Sequence, residues 1–187
     1  MATTTKLTLD EFLARPDTEP ASEYVCGEVY QKPMPDQDHG NLLFLFALLI
    51  RQFLAAAPRG VVIPEWRCVF GPPGHERAFI PDVAFATHER HAVPGRNARK
   101  FLWTAPDLAI EVLSPDQPAD EFADKLQFYL LHGVRLVWVV NPETRTIRVY
   151  RPGEDAQLLQ SGDTLEGGDV LPGFSVPVDD IFAEIDT

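Results

Sequence analysis

The sequence predicts an α/β fold in which helices flank a mixed β-sheet, within a single domain that spans residues 1–187. The first observation is the order of the main predicted elements: a helix, three strands, a helix and two strands, a mixed order typical of α/β and α+β proteins. The second is composition, because 45% hydrophobic and 24% charged residues over 187 positions suit one globular core. The third is that no linker-like stretch divides the chain.

Local signals set the boundaries of the predicted elements. Thr8 and Glu11 have the spacing of a capping box, and Pro16 ends the short helix that they open. A long helix over residues 41–57 is apolar on most of its circumference, which predicts deep burial. The remaining predictions are, in chain order, strand–turn–strand over 24–31, strands over 61–70 and 78–86, a polar loop over 87–100, a strand over 107–113, a helix over 120–131, strands over 134–141 and 146–151, and short strands and turns over 152–187.

Two residues refine these predictions. Pro64 cannot donate a hydrogen bond to a neighbouring strand, so it indicates an edge strand or a bulge. Gly133 stands where a C-cap glycine would end the second long helix. The segment over 134–141 is β-branched and aromatic, which predicts a fully buried strand.

The chain is acidic, and its charge is unevenly distributed. The net charge is −12, and residues 152–187 hold nine acidic side chains and no Lys or Arg. Because phosphate binding normally uses a basic surface, this charge counts against a nucleic-acid partner without excluding one. Two cysteines are too few for a disulfide scaffold or a four-cysteine zinc site. The apolar run over 42–50 is too short to span a bilayer and the chain starts without a signal-peptide pattern, so we expect a cytoplasmic protein with no membrane partner.

Two acidic residues stand in strands that are otherwise apolar. In PDVAFA, Asp82 shares a strand face with Ala84 and Ala86. In DLAIEVLS, Glu111 lies on the opposite face to Ile110, where its burial is costly unless it is paired or bound to a metal. A turn at the start of a strand is the alternative for Asp82, and an Arg or backbone donors can satisfy Glu111.

Lys125 and Tyr129 add two groups from the helix over 120–131. Lys125 lies within the apolar arc of that helix, so it either extends to solvent along its stem or points into a polar site at the end of the sheet. Tyr129 follows one turn later on the same side. Two carboxylates can bind Mg²⁺ or Mn²⁺ and leave positions for water and substrate, and a lysine can offset charge on a phosphate. This set indicates phosphodiester hydrolysis.

These residues lie in segments that resemble a known family. The segments SEYVCGEVY, AFIPDVAFA, APDLAIEVLSPD, DKLQFY and GVRLVWVVNPETRTIRVY resemble the restriction endonuclease family called Uma-two, which is part of the PD-(D/E)XK nuclease superfamily. The resemblance runs from about Leu7 to Arg151 and into the tail, and it is strongest in EVLSP, in the lysine helix and in GVRLVWVVNP.

The resemblance implies a restriction-endonuclease-like α/β core with the activity of a Mg²⁺- or Mn²⁺-dependent endodeoxyribonuclease. It identifies Asp82 and Glu111 as the two acids that bind the metal. The superfamily motif places its lysine two residues after the glutamate, where this chain has Leu113. The resemblance therefore transfers that role to Lys125, on the following helix, with Tyr129 as a supporting group.

The resemblance also extends to Glu23 and His39. It implies that Glu23 is an additional acid near the metal and that His39 touches the substrate or shuttles a proton. For His39, a histidine at a helix start that bonds to the backbone is the alternative.

The loop over 87–100 holds the basic cluster of the sequence, and it directly follows the strand of Asp82. We expect Arg96, Arg99 and Lys100 to contact the nucleic-acid backbone beside the cleavage site, with DNA as the partner. A solvated loop with scattered charges is the alternative.

Two other functions remain open beside the endonuclease. One is a catalytically silent binding or regulatory module on the same fold, which the acidic charge and the short chain favour. The other is a metal-dependent hydrolase of a smaller substrate such as a nucleotide. A homodimer is a further prediction, through apolar residues of the acidic tail: Phe174, Val176, Val178, Ile181 and Phe182.

Overall fold

A six-stranded mixed sheet lies at the centre of the protein in the computed structural model, which describes residues 6–92, 100–114, 119–183 and 185. The helices are α1 (Leu9–Leu13), α2 (Gln37–Ala56), α3 (His88–His91), α4 (Ala119–Leu131) and α5 (Val178–Ala183). The strands are β1 (Ser22–Val25), β2 (Glu28–Gln31), β3 (Gly60–Pro64), β4 (Cys68–Phe70), β5 (Arg77–Phe79), β6 (Val83–Thr87), β7 (Leu108–Val112), β8 (Leu136–Asn141), β9 (Thr146–Tyr150), β10 (Gln157–Leu159), β11 (Thr164–Glu166) and β12 (Ser175–Pro177).

The strand order of the large sheet is β10-β9-β8-β7-β6-β3. Strands β7 and β8 are parallel because α4 connects them, and the other neighbours are antiparallel. Strands β2-β1-β5-β4 form a second sheet, and β11 and β12 pair as a third. The mixed sheet flanked by helices that the sequence predicts is therefore confirmed.

The two faces of the large sheet carry different side chains. Along β6 and β7 the larger residues face α2 and the tail, for example Phe85 and Ile110, and form one core cluster. The opposite face carries the small residues Ala84, Ala86 and Ala109, over which the aromatic residues of α4 pack. Small residues on this face leave room for α4 and, beyond it, for polar side chains at the end of the strands.

Two predicted strands each divide between the two sheets. The predicted strand over 61–70 is β3 in the large sheet and β4 in the four-stranded sheet, which is called the small sheet below. The two strands are separated by Glu65, which has a φ of +48°. The predicted strand over 78–86 is likewise β5 and β6, with Pro81 between them, which has no N–H to donate to a ladder. Pro64 ends β3 at the edge of the large sheet, as expected for a proline in a strand.

The first long helix, α2, starts earlier and is less buried than its composition predicts. Asp36 caps it by accepting a hydrogen bond from the N–H of His39, so the helix begins at Gln37. Its face with Leu42 and Phe46 packs on the sheet, but Phe44 is 68% exposed. By length and composition α2 could also cross a membrane, a property that it shares with the core helices of soluble domains.

The acidic tail packs on its own chain. The side chains of Phe174, Val178, Ile181 and Phe182 are buried in the cluster that α2 and the large sheet form, and Val176 is partly buried against it. They are therefore not exposed for the dimer contact predicted from the sequence, and the homodimer stays a prediction without this surface. The capping box at Thr8 and the left-handed C-cap conformation of Gly133 are confirmed.

Candidate active site

Asp82 lies where the chain crosses from the small sheet to the large one. It directly precedes β6, and the pairing of Val83 with Ile110 places it opposite Glu111 of β7. Its Oδ2 accepts a hydrogen bond from the N–H of Val112 at 2.7 Å. Its Oδ1 lies 2.6 Å from Nζ of Lys32 and 3.2 Å from Nε2 of His39.

These partners keep Asp82 ionised although it is buried. Burial alone would raise the pKa of the carboxyl group, but the charge of Lys32 and the contact with His39 outweigh it. The pKa of Asp82 therefore lies well below its usual range. A buried carboxylate that stays negative over the whole physiological range is suited to hold a cation.

Glu111 lies on the alanine face of β7 and is 4% exposed. Its Oε1 accepts a hydrogen bond from the hydroxyl of Tyr129 at 2.8 Å, and Nζ of Lys125 lies 2.9 Å from both carboxylate oxygens. Burial raises the pKa of Glu111 to about 7, helped by the negative charge of Asp82 and opposed by Lys125. A carboxyl group with this pKa can take up or release a proton near neutral pH.

Lys125 points into the protein rather than to solvent. Its ammonium group joins Glu111 to Glu23 of β1, which lies 2.9 Å away, and it stands over the rings of Phe79 and Tyr129. Burial lowers the pKa of the lysine, but the two glutamates raise it well above its ordinary value. Glu23 also accepts the N–H of Ile80 at 2.7 Å, which ties β1 to the segment before Asp82.

The carboxylates lie at the bottom of a cleft of about 960 Å³ between the β1–β2 hairpin, the end of the large sheet and α4. Its walls include Tyr30 and Met34 on one side and acidic residues of α4 on the other. The charged residues that line it are Glu23, Lys32, Asp36, Asp82, Glu111, Asp120, Glu121, Asp124 and Lys125. With seven acids and two lysines, the cleft attracts cations more readily than anions.

The chemistry of these side chains fits a divalent cation. Magnesium prefers oxygen ligands and commonly binds through one or two carboxylates with water or phosphate in its other positions. Asp82 and Glu111 offer such a pair from neighbouring strands. In the described part of the chain, no group of three or more His, Cys, Asp and Glu side chains is arranged to hold a metal ion.

The structure brings together six of the residues predicted from the sequence: Glu23, His39, Asp82, Glu111, Lys125 and Tyr129. His39 sits in the first turn of α2, and its side chain turns to Asp82 and to the hydroxyl of Ser114 rather than to the backbone. Lys32 is the residue that sequence reasoning missed. It follows a strand whose residues are all exposed, so nothing local predicts that its ammonium group is buried.

The predicted nucleic-acid contacts fall mostly outside the described residues. Arg96 and Arg99 lie in the part of the chain that the structure does not describe. Lys100 is exposed, with its ammonium group over the ring of Phe101, and it does not line the cleft. Arg90 of α3, by contrast, is part of the fold because its guanidinium group pairs with Asp107 and donates to the carbonyls of Ala105 and Gly133.

Comparisons with known proteins identify relatives of this chain. A family model described as "putative restriction endonuclease" matches residues 9–179. Among solved structures, a putative nuclease belonging to DUF820 from Anabaena variabilis is 29% identical, with a TM-score of 0.83. That match covers 96% of this chain and 99% of the other one. No curated protein matches the chain.

Proposed function

The chain belongs to the putative restriction endonuclease family, and we propose that it is an endonuclease that uses Mg²⁺ or Mn²⁺ to hydrolyse phosphodiester bonds in DNA. The observation that carries this proposal is the placement of Asp82 and Glu111. Asp82 directly precedes β6 and lies opposite Glu111 of β7, and both are buried at the bottom of an open cleft, with Lys125 at hydrogen-bond distance from Glu111. Buried charges at the floor of a cleft are costly for the fold and therefore indicate a function.

Each side chain of the cluster has a part in this chemistry. Asp82 and Glu111 would hold the cation, which supplies a Lewis acid that polarises the phosphate and lowers the pKa of a water molecule. Lys125 offsets negative charge that develops on the phosphate. Tyr129 fixes the orientation of Glu111 through its hydroxyl group. His39, beside Asp82, can hold or pass a proton at the cleft.

DNA as substrate and the cytoplasm as location are part of the same proposal. Because acidic side chains predominate in the cleft, a cation held by Asp82 and Glu111 would offset repulsion of the phosphate backbone. The basic residues Arg96, Arg99 and Lys100 are the candidates for contacts with the phosphate backbone. If DNA binding keeps its salt dependence after all three residues are neutralised, they do not contact the phosphate backbone.

Calorimetry with Mn²⁺, followed by plasmid cleavage, tests the proposal. We expect wild-type protein to bind Mn²⁺ and to nick or cut plasmid DNA, and a chelator to stop the cleavage. The variants Asp82→Asn and Glu111→Gln should lose both properties. Glu121→Gln is the matched control, because Glu121 is an exposed acid on the cleft wall, and it should keep both. Wild-type protein that neither binds the cation nor cuts DNA contradicts the proposal.

A catalytically silent binding module is the second candidate, and one observation favours it. Both carboxylates already have an ammonium partner, Lys32 for Asp82 and Lys125 for Glu111, so the cluster can be stable without a cation. In that case Asp82→Asn and Glu111→Gln leave the cellular function intact. A raised melting temperature of Glu111→Gln, together with unchanged function in cells, would favour the silent module over the nuclease.

A further inference from the structure

Lys32 is a largely buried lysine that lines the cleft. Its backbone N–H donates to the carbonyl of Ala21, which ends the β1–β2 hairpin, and its side chain is 13% exposed. Its Nζ lies 2.6 Å from Oδ1 of Asp82 and 3.0 Å from the carbonyl oxygen of Ile80. Since lysine usually keeps its ammonium group in water, this placement needs a specific reason.

The ammonium group of Lys32 occupies the part of Asp82 that a cation would need. Oδ2 of Asp82 is bound by the N–H of Val112, so Oδ1 is the oxygen left to face the cleft. Lys32 and His39 both contact that oxygen. A metal ligand needs a free lone pair on oxygen, and a lysine at 2.6 Å competes for it as a compact positive charge.

The charges of the cluster also bear on the competition between Lys32 and a cation. Three buried carboxylates, Glu23, Asp82 and Glu111, face the two ammonium groups of Lys32 and Lys125. With all three acids ionised, the cluster is negative as long as it holds no cation, and one divalent cation makes it positive. A phosphodiester carries one negative charge, so it is attracted only after the cation has bound.

We propose that Lys32 is a resident counter-ion that a divalent cation displaces from Asp82 and that then binds the phosphate of the substrate. The inference rests on the proposed nuclease function, for which it assigns a second lysine. The bond to the carbonyl of Ile80 keeps the ammonium group near the cleft floor after displacement, because a lysine has three donors and needs to give up only one. Lys32 thus lowers the affinity for the cation and raises the affinity for phosphate.

The test uses two binding measurements on the full chain, with Lys32→Met as the main variant. Calorimetry gives the affinity for Mn²⁺ without nucleic acid. Fluorescence anisotropy at saturating Mn²⁺ gives the affinity for a short labelled DNA oligonucleotide with phosphorothioate linkages. Lys32→Gln repeats both measurements in case Lys32→Met does not fold. Lys32→Arg keeps the charge, and Lys6→Met is the control at an exposed lysine away from the cleft.

We expect the two affinities of Lys32→Met to change in opposite directions. Affinity for Mn²⁺ should rise by about ten-fold because a competing charge is gone, and affinity for the oligonucleotide should fall by about ten-fold. Lys32→Arg should stay close to wild type in the Mn²⁺ titration, and Lys6→Met in both. A lysine with only a structural role would weaken both affinities or neither.

The outcomes separate this inference from the proposed function. If wild-type protein binds Mn²⁺ and Lys32→Met binds it no more tightly, the displacement is overturned and the nuclease proposal stands. If the oligonucleotide affinity of Lys32→Met does not fall, the phosphate contact is overturned. If neither protein binds Mn²⁺, both the inference and the metal dependence of the proposed function are overturned.

Discussion

Buried acids lie at both ends of β7, and the two ends are built differently. Asp107 directly precedes the strand and is 1% exposed. It accepts the N–H of Thr87 at 2.8 Å and pairs with the guanidinium groups of Arg90 and Arg135, each at 3.2 Å. Glu111, near the other end, is paired with Lys125 and Tyr129 and lies beside the cleft.

The difference between the two ends is the kind of partner and the access to solvent. Asp107 is covered by arginines, which are always charged and bind a carboxylate through a planar group that is hard to displace. Those arginines reach the surface, and Asp107 does not line the cleft. Asp82 and Glu111 are held by lysines, whose compact ammonium groups can exchange one partner for another. An acid therefore indicates a ligand site when its partners can be displaced and a cleft leads to it.

The largest expected effect is the loss of DNA cleavage when the acids beside the cleft are changed. Asp82→Asn and Glu111→Gln should each reduce DNA cleavage by about 10³-fold or more, because each removes a charge that holds the cation. The rate of plasmid nicking per folded molecule measures the reduction in cleavage. Asp107→Asn is the matched change at the end of β7 away from the cleft, and it should keep the wild-type rate of cleavage. An equal loss of cleavage in Asp107→Asn would show that the two ends of β7 do not differ in function.

Lys125→Met should destabilise the fold more than any single change at Asp107. It leaves Glu23 and Glu111 buried without the ammonium group that pairs with them, and breaking such a buried pair costs about 3–5 kcal/mol. Urea unfolding without metal measures the loss. Arg135→Met is the comparison variant, and it should cost clearly less because Asp107 keeps Arg90 and the N–H of Thr87. A smaller loss for Lys125→Met than for Arg135→Met would reverse the comparison.

Asp107→Asn should lower the free energy of unfolding by about 1–3 kcal/mol, since it weakens hydrogen bonds to charged partners. The affinity for Mn²⁺, measured by calorimetry, should stay at the wild-type value. A change in that affinity would mean that the two ends of β7 are coupled.

The smallest expected effect belongs to Tyr129→Phe. It removes the hydroxyl that donates to Glu111 and should cost about 1 kcal/mol of stability, with a decrease in cleavage of less than about ten-fold. Phe128→Leu on the same helix is a control that changes packing without touching Glu111. A loss of cleavage as large as that of Glu111→Gln would make Tyr129 a catalytic residue rather than one that orients the carboxylate.

Much of the large sheet could be predicted from local patterns. Strands β7, β8 and β9 and helix α4 have strong apolar patterns and clear turn or cap residues, and their predicted bounds differ little from the observed ones. The local sequence predicts one strand over 61–70, with an edge or a bulge at Pro64, and one strand over 78–86. It does not predict their division between two sheets, because a change of sheet depends on distant pairing.

The sequence by itself determined which acids are unusual. Asp82 and Glu111 stand out because a charged residue within an apolar strand face is costly, and this cost can be read from side-chain alternation alone. The position of Lys125 within an apolar arc is visible in the same way, although the direction of its side chain is not.

Only the tertiary structure decided the partners of these acids. Lys32 reaches Asp82 from the end of the β1–β2 hairpin, and Glu23 reaches Lys125 from β1 of the same hairpin. These contacts join residues that are far apart in the chain, and no local pattern encodes which ammonium group neutralises which carboxylate. The physical reason is that charges pair according to distance in the folded protein, and that distance is set by how the two sheets and α4 pack together.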